Sequence, residues 1–344
     1  MNIFFSVDDK FVPYLSVMLA SVLAHAKDGK RYDLHILGTG IRPEYQKMLQ
    51  QQVKEDRRFS LEFVDVTAQL AGRQFYTESR KDLNQSTYYR LLIPYLYPEM
   101  DRAVYLDGDM VALTDIARLD RVKLGDHLLA AVRDYQGIAN VYREETDERQ
   151  YIEGEIGILE PDELIIAGLL VLNLEQFRKH WTMEELLNFA GSREWRHHDQ
   201  DILNVLSEGN KVLLDARWNI LPDVGLYCRL PEHLYREWKK GAAAPYVVHF
   251  GGDRKPWKYP NIPYADLFWK YAEDSPFRKD ILDRRRREFL HSGTFRKIWL
   301  EQLIVPLGSR RRAFAGAIWK SIRSLKSGTT NLQPGEKRRG MWQK

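Results

Sequence analysis

The sequence predicts an α/β fold: a mostly parallel central sheet with helices on both faces, followed by a basic, helical C-terminal extension. Three observations carry that expectation. Short apolar strand patterns alternate with helical ones from the first residues onward, the order of βαβ units. Acids stand in pairs, Asp8-Asp9 and Asp107-Gly108-Asp109, at the ends of two such strands, where open parallel sheets bind their ligands. Charge also divides along the chain: residues 278–344 hold 18 Lys and Arg against 5 Asp and Glu, whereas the preceding residues hold 34 against 43.

Taken in order, Asn2 to Val7 reads as a strand. Leu15, Met18, Leu19, Val22, Leu23 and Ala26 then share one helix face, and Asp33 to Leu37 reads as a second strand. A helix near Glu44 to Lys54 leads to a strand at Leu61 to Val66, and Ser86 to Leu92 looks helical up to a break at Pro94. The next strand, Ala103 to Leu106, stops at the acidic corner, so Asp8, Asp9, Asp107 and Asp109 are expected on one rim. A strand near Leu128 to Val132, the apolar stretch Leu164 to Leu174, a helix near Asp201 to Ser207 and strands at Lys211 to Asp215 and Tyr246 to Phe250 complete the body. The acidic stretch Gln136 to Asp162, poor in apolar residues outside Ile152 to Leu159, reads as a long loop or lid beside the ligand.

The 344 residues suffice for one large α/β domain at 1–277 and the extension at 278–344. A single cysteine, Cys228, excludes an internal disulfide framework and a cysteine-based zinc site, and suits a reducing, cytoplasmic compartment. Phe11 to Ala26 is uncharged and ends in Ala24-His25-Ala26 like a cleavage site, but Asp8 and Asp9 outnumber Lys10 where a secretory signal wants basic residues. A core helix is the reading that also explains its periodicity. In the extension, Phe314, Ile318, Ile322 and Leu325 recur at helical spacing among Arg310 to Arg312, Lys320, Arg323 and Lys326, with Trp299, Trp319 and Trp342 nearby. That pattern suits a helix in the interface of an anionic membrane, which places the protein peripherally on an inner membrane face; the alternative is a basic helix packed on the body. No nucleic-acid partner is expected, since the acidic body opposes a duplex and no recognition motif accompanies the basic run.

The acidic corner and a second segment, Val247-Val248-His249-Phe250-Gly251-Gly252-Asp253-Arg254-Lys255, supply what a metal-diphosphate site needs. Two carboxylates and an imidazole offer mixed oxygen and nitrogen ligands, glycines let backbone N–H groups approach phosphate oxygens, and a lysine neutralises leaving charge. In the corner itself, Gly108 is expected to let backbone and diphosphate approach without a Cβ in the way. Taken singly, Asp-x-Asp is common in plain solvated turns, and a histidine after a strand is commonly structural.

With Phe4-Phe5-Ser6-Val7-Asp8-Asp9, Ser86-Thr87-Tyr88-Tyr89-Arg90-Leu91, Tyr105-Leu106-Asp107-Gly108-Asp109, Ala167-Gly168, Leu172-Asn173-Leu174, His198-Asp199-Gln200-Asp201-Ile202-Leu203-Asn204 and His249 to Trp257 in that order, the chain resembles the family-8 retaining glycosyltransferases over roughly residues 1–260. The resemblance implies a Rossmann-like GT-A fold and a hexosyltransferase that uses a UDP-sugar, with a saccharide or glycolipid as acceptor. It implies that Asp107, Asp109 and His249 hold Mn²⁺ (or Mg²⁺). Ser6 and Asp8 would meet the uridine, Phe11 would stack on uracil, and Gly252 and Lys255 would grip the phosphates. Arg90, Gly108, Ala167, Gly168, Asp199 and Gln200 would face the donor, with Gln200 beneath the anomeric carbon. An amide is a poor nucleophile, so front-face substitution is expected in place of a covalent sugar intermediate. Two positions depart from the family pattern. Ile166 replaces the asparagine usual before Ala-Gly and cannot hydrogen-bond the donor sugar, and Lys10-Phe11 replaces Asn-Tyr. A binding protein that keeps the nucleotide sugar without turnover is the competing expectation.

Overall fold

The computed structural model describes residues 1–77, 85–143, 146–222, 229–252, 254–259 and 262–291. Cys228 and all of the interfacial-helix expectation, including Trp299, Trp319 and Trp342, lie outside them. Among the described residues, no helix is long and apolar enough to cross a membrane.

Seven strands form the main sheet: β1 (Asn2–Ser6), β2 (Tyr32–Gly38), β3 (Phe59–Asp65), β4 (Arg102–Leu106), β6 (Leu129–Arg133), β7 (Ile165–Asn173) and β8 (Lys211–Leu213). Their order is β3-β2-β1-β4-β7-β6-β8. Pairing is parallel from β3 through β4 and between β6 and β8, and antiparallel on both sides of β7, so β7 alone runs against the rest. The other two strands, β5 (Met110–Ala112) and β9 (Val247–His249), make a separate antiparallel pair.

Each strand forms for a local reason. Ile3, Phe4 and Phe5 of β1 are fully buried, as are Leu169, Leu170 and Val171 of β7, so the continuous apolar runs belong to strands covered on both faces. The helix Val12–His25 opens with Pro13 in its first turn and buries Leu15, Met18, Leu19 and Val22 of the expected face; Leu23 and Ala26 are only half-buried, and Ser16, Val17, Ala20 and Ser21 on its other sides are buried as well.

Register sets the rim. Ile3 pairs with Val104 and Phe4 with Tyr105, so β1 and β4 end side by side and deliver the Asp8 and Asp107 segments to the same edge. Asp9 is engaged there by Arg42, whose backbone N–H and Nε lie 3.0 and 2.8 Å from its carboxylate.

Two expectations are corrected. Pro94 does not break a helix: Gln85–Leu92 is 3₁₀ helix, and the proline sits in the first turn of the helix Ile93–Leu96, where its missing N–H costs no bond. The stretch 136–162 is not an extended loop. It contains the helix Tyr135–Val141, a π-helical turn Gln150–Glu155 and a 3₁₀ turn Pro161–Glu163. Few apolar residues suffice because Tyr151, Ile152, Ile156 and Ile158 are all buried and the Asp134 carboxylate caps the first helix through the Gly137 N–H.

The basic run at 284–287 falls in the helix Arg278–His291, which packs on the body. Ile281 is buried, Arg284 donates to Lys10 O at 2.6 Å and pairs with Asp280, and the Arg285 guanidinium lies 5.2 Å from the Trp269 ring centre.

Candidate active site

The pairing of β5 with β9 assembles the site. Met110 faces His249 across the ladder, and the Phe250 N–H donates to Asp109 O at 2.9 Å, so the acidic corner and the histidine segment are stitched together by backbone. On the other flank the Asp107 N–H donates to Gly168 O at 2.8 Å, joining the corner to β7. The His249 Nε2 atom then lies 3.3 Å from Asp109 Oδ1 and 3.6 Å from Asp107 Oδ2. One donor atom from each of the three residues fits within 4.8 Å of the others.

The donor set suits a divalent cation. Asn219 Oδ1 stands 3.0 Å from His249 Nδ1 and can accept the ring proton there, which would free Nε2 for a cation held between the carboxylates. Two carboxylates with one imidazole form a hard-to-borderline donor set of the kind that holds a divalent cation. Gly168 makes room for the ring: a Cβ built there would stand 2.4 Å from His249 Cε1 and 2.8 Å from Met110 Cε. Gly108 spares space on a different side from the one expected. Its missing Cβ points toward Val7, Phe11 and Leu15, each with an atom 3.4 Å away, so the glycine eases packing on the core rather than approach by a ligand.

Buried cations balance the acids. Lys255 Nζ lies 2.5 Å from Asp109 Oδ2 and 2.9 Å from Phe250 O. Burial alone would raise the Asp109 carboxyl, but the charges of Lys255 and His249 outweigh it and hold the group well below the usual carboxylate range. Arg90 is the second cation. It donates to Asp107 Oδ1 at 2.9 Å and to Ala167 O at 2.5 Å, and its guanidinium lies 4.2 Å from the centre of the Tyr105 ring. The Tyr105 hydroxyl also donates to Asp107 Oδ1, at 2.8 Å.

Asp199 and Gln200 open the helix Asp199–Leu206. The Asp199 Oδ1 atom accepts from the Thr87 hydroxyl, while Oδ2 stands 2.9 Å from Arg90 Nε as an ion pair only, because that N–H is aligned on Thr87 O at 3.0 Å. Burial pushes the Asp199 carboxyl up to about 6 against the pull of Arg90 and Thr87. The Gln200 amide is held at both ends: Oε1 accepts from the Ala167 N–H at 3.2 Å, and Nε2 donates to Asp134 Oδ2 at 2.8 Å. Asp134 is itself raised above the ordinary carboxylate value by burial, which exceeds the lowering by the Gly137 N–H and by His197.

A cleft of about 240 Å³ joins these groups, and Arg90, Asp107, Asp109, Ile166, Ala167, Gly168, Asp199, Gln200, His249, Gly252 and Lys255 all line it. Ser6, Asp8, Phe11 and Gly108 lie beside it, outside that lining. The Asp8 carboxylate accepts the Phe11 N–H at 2.7 Å, and Phe11 packs edge-on to Tyr14 and to Trp257, which themselves stack 3.8 Å apart. Ser6 Oγ is buried with no hydrogen-bond partner among the described residues.

Asn219, Asp134 and His197 are site residues that sequence reasoning missed. Asp134 carried a usable signal, being an acid directly after the strand β6 at the ligand-binding rim. His197 lines the cleft and pairs with Glu148, Nε2 to Oε1 at 2.5 Å. Burial lowers its pKa, but the Glu148 hydrogen bond and the nearby charges of Asp201, Glu148 and Asp134 raise it above the ordinary 6.5.

Residues 2–260 match the profile described as Glycosyl transferase family 8, and the chain belongs to that family. Its fold is the GT-A fold. Among curated relatives, General stress protein A of Bacillus subtilis (strain 168) is 25% identical over 280 residues, covering 79% of this chain and 92% of that protein. Lipopolysaccharide 1,2-glucosyltransferase of Escherichia coli (strain K12) is 25% identical, covering 57% of this chain and 56% of its own length. Among solved structures, galactosyltransferase LgtC in complex with donor and acceptor sugar analogs aligns with a TM-score of 0.66 at 25% identity, over 80% of this chain and 96% of that one. The apo bifunctional glycosyltransferase WbbM aligns at 0.73 with 26% identity, over 83% of this chain; the present chain spans only 51% of that protein.

Gly168→Ala is expected to push the His249 ring off the carboxylates, lowering Mn²⁺ affinity at least tenfold by titration calorimetry while costing about 1–3 kcal/mol of stability. The His197–Glu148 pair gives a pH signature. The raised histidine contributes stability that is complete below 6.5 and is lost as pH rises through its higher folded value. Glu148, whose pKa is lowered, contributes above 4.5 and loses that contribution as pH falls. Glu148→Gln should therefore bring the NMR titration midpoint of His197 down and flatten the stability profile on the alkaline side of 6.5.

Proposed function

We propose that this protein is a metal-dependent retaining hexosyltransferase that moves glucose or galactose from a UDP-sugar to a saccharide or glycolipid acceptor. The observation that carries the reading is the convergence of Asp107, Asp109 and His249, with the His249 ring held by Asn219, beside Lys255 and the Gly251-Gly252 turn. When bound there, a divalent cation supplies Lewis-acid stabilisation of the departing diphosphate. Lys255 supplies a further positive charge, and Gly252, at φ +72, adopts a backbone that a side chain would strain, which suits N–H groups turned toward phosphate oxygens. Ser6 Oγ, buried with no partner among the described residues, and the Asp8–Phe11 turn, beside the Tyr14–Trp257 stack, are the natural wall for a nucleoside.

The mechanism proposed is front-face substitution. The bond from the anomeric carbon to the UDP oxygen breaks as the acceptor oxygen bonds to the same face, and the acceptor proton passes to a phosphate oxygen. A double displacement requires a free carboxylate on the opposite face. Here the residue suited to that place is Gln200, a neutral amide whose two ends are taken by Ala167 and Asp134. The nearby carboxylates are occupied as well, Asp199 by Thr87 and Arg90, Asp134 by Gln200 and the Gly137 N–H. Asp199, close to Arg90 and to the sugar position, would steady the developing oxocarbenium charge and hold donor hydroxyls, with Arg90 keeping it in place.

The glucosyl- and galactosyltransferase relatives favour a hexose donor, and the lipopolysaccharide enzyme among them favours a cell-envelope glycan as acceptor, which is most simply reached from the cytoplasmic side of an inner membrane. The domain at 1–277 would carry catalysis and the basic extension at 278–344 would bind the anionic membrane surface. Ile166 supports a second reading, a nucleotide-sugar-binding protein without turnover, since it places an apolar side chain on the cleft wall.

UDP release from UDP-glucose or UDP-galactose with Mn²⁺ separates the two readings: slow release without acceptor supports the enzyme, and tight binding with no release supports the binder. Asp109→Asn should lower turnover at least roughly 100-fold in the folded protein, at a cost in stability because the buried Lys255 loses its charged partner, and near-normal activity in that variant would refute the metal assignment. Ile166→Asn restores a hydrogen-bonding group worth about 1 kcal/mol, so the ratio of kcat/KM values across a panel of UDP-sugars should shift roughly fivefold toward donors bearing the facing hydroxyl.

A further inference from the structure

The turn that presents Asp199 and Gln200 is held in an unfavourable backbone conformation. His198, a buried non-glycine residue, has φ 57 and ψ −130. Such a conformation costs on the order of 1–3 kcal/mol and persists only where surrounding bonds overdetermine it. Here the bonds come from the segment that follows the helix Tyr135–Val141. The Tyr151 hydroxyl accepts the Arg196 N–H at 2.9 Å and donates to Asp201 Oδ2 at 2.5 Å. That same Oδ2 accepts the His197 N–H at 2.8 Å. One phenol thus closes a loop of hydrogen bonds around residues 196–201, with the strained residue inside it. Tyr151 is 2% exposed and Asp201 2% exposed, so water cannot replace either bond. Glu148, on the same segment, adds the contacts to His197 and Arg196.

We propose that Tyr151 is a positioning residue: its hydroxyl buckles the 196–201 turn into the strained form that aims Asp199 and Gln200 into the cleft. The proposal rests on the transferase reading above. Tyr151 is absent from the cleft lining. It acts through the start of the helix Asp199–Leu206, whose first two residues reach Thr87, Arg90, Ala167 and Asp134. Without the hydroxyl, the Arg196 N–H loses its acceptor and Asp201 one of its donors, and relaxation of His198 moves both side chains together. A displacement of about 1 Å at reacting groups costs roughly 100-fold in rate. The metal corner, tied to β9 and β7 by separate backbone bonds, has no share in this loop.

The test is Tyr151→Phe in the full chain, with Glu148→Gln as a second variant that weakens the same turn through His197. Turnover is read as UDP release with Mn²⁺ and the donor that the wild type uses best, alongside Mn²⁺-dependent UDP binding by calorimetry and hydrogen exchange at residues 196–201. The expected result for Tyr151→Phe is a 10- to 100-fold fall in kcat with donor KM and UDP affinity within about threefold of wild type, and at least tenfold faster exchange at the amides of 196–201 than in the wild type, with amides of β5 and β9 unchanged. Glu148→Gln should move kcat in the same direction by less. Unchanged kcat and exchange in folded Tyr151→Phe overturns the proposal. If Tyr151→Phe does not fold, unchanged kcat and exchange in Glu148→Gln overturns it. A wild type that releases no UDP from any donor sinks the transferase reading instead, and the exchange measurement still decides whether the hydroxyl holds the turn.

Discussion

The antiparallel pairing of β5 with β9 is the constraint on which the site depends. A chain separation of about 140 residues is closed by a three-residue ladder that sets His249 opposite Met110 and ties Phe250 to Asp109. A slip of one residue would turn the imidazole to the other face of the ladder and separate it from both carboxylates. The ladder is protected by its surroundings. Val111, Val247 and Val248 are fully buried, and the Ala112 N–H is bonded to the Ser21 hydroxyl of the first helix.

Around that ladder, charge is compensated locally. The acidic corner has a buried lysine on one side and a buried arginine on the other, and the arginine extends the network to Asp199. Removing one partner from such a set leaves an uncompensated buried charge, which is strongly destabilising. The two halves of the cleft are therefore linked by electrostatics through Arg90, while the loops of hydrogen bonds that orient His249 and Gln200 are separate from one another.

Much of the fold was legible in the sequence because period and strand-end chemistry agree. Apolar runs at 2–7, 33–37 and 103–106 mark strands, and acids directly after two of them mark the rim. What escaped was direction and tertiary pairing. The stretch 164–174 is uniformly apolar, and such a run carries no sign of whether it lies parallel or antiparallel to its neighbours. Met110–Ala112 is too short to show any period, so the second sheet was invisible although His249 at its end was not. Of the residues that line the cleft, those the sequence points to most directly are Asp107 and Asp109, whose chemistry is carried by residue type just after a strand end. The Asn219 amide meets the His249 ring, and the Tyr151 hydroxyl meets one backbone N–H and Asp201; a lone amide or phenol in a sequence gives no hint of such partners. The 136–162 stretch misled for a related reason: buried side chains scattered from Ile138 to Ile158 and one helix cap order it, too dispersed to register as a pattern.

The reversal of β7 has a geometric outcome for how this scaffold can diversify. Since β6 ends at the ligand rim and β7 begins there, the chain between them leaves and returns on one edge and need never traverse the sheet. Residues inserted or deleted in that excursion alter the wall of the cleft while every ladder partner stays where it is. A parallel connection would have forced any such change to thread back across the layer, so the single inverted strand is what uncouples selectivity for new partners from maintenance of the core.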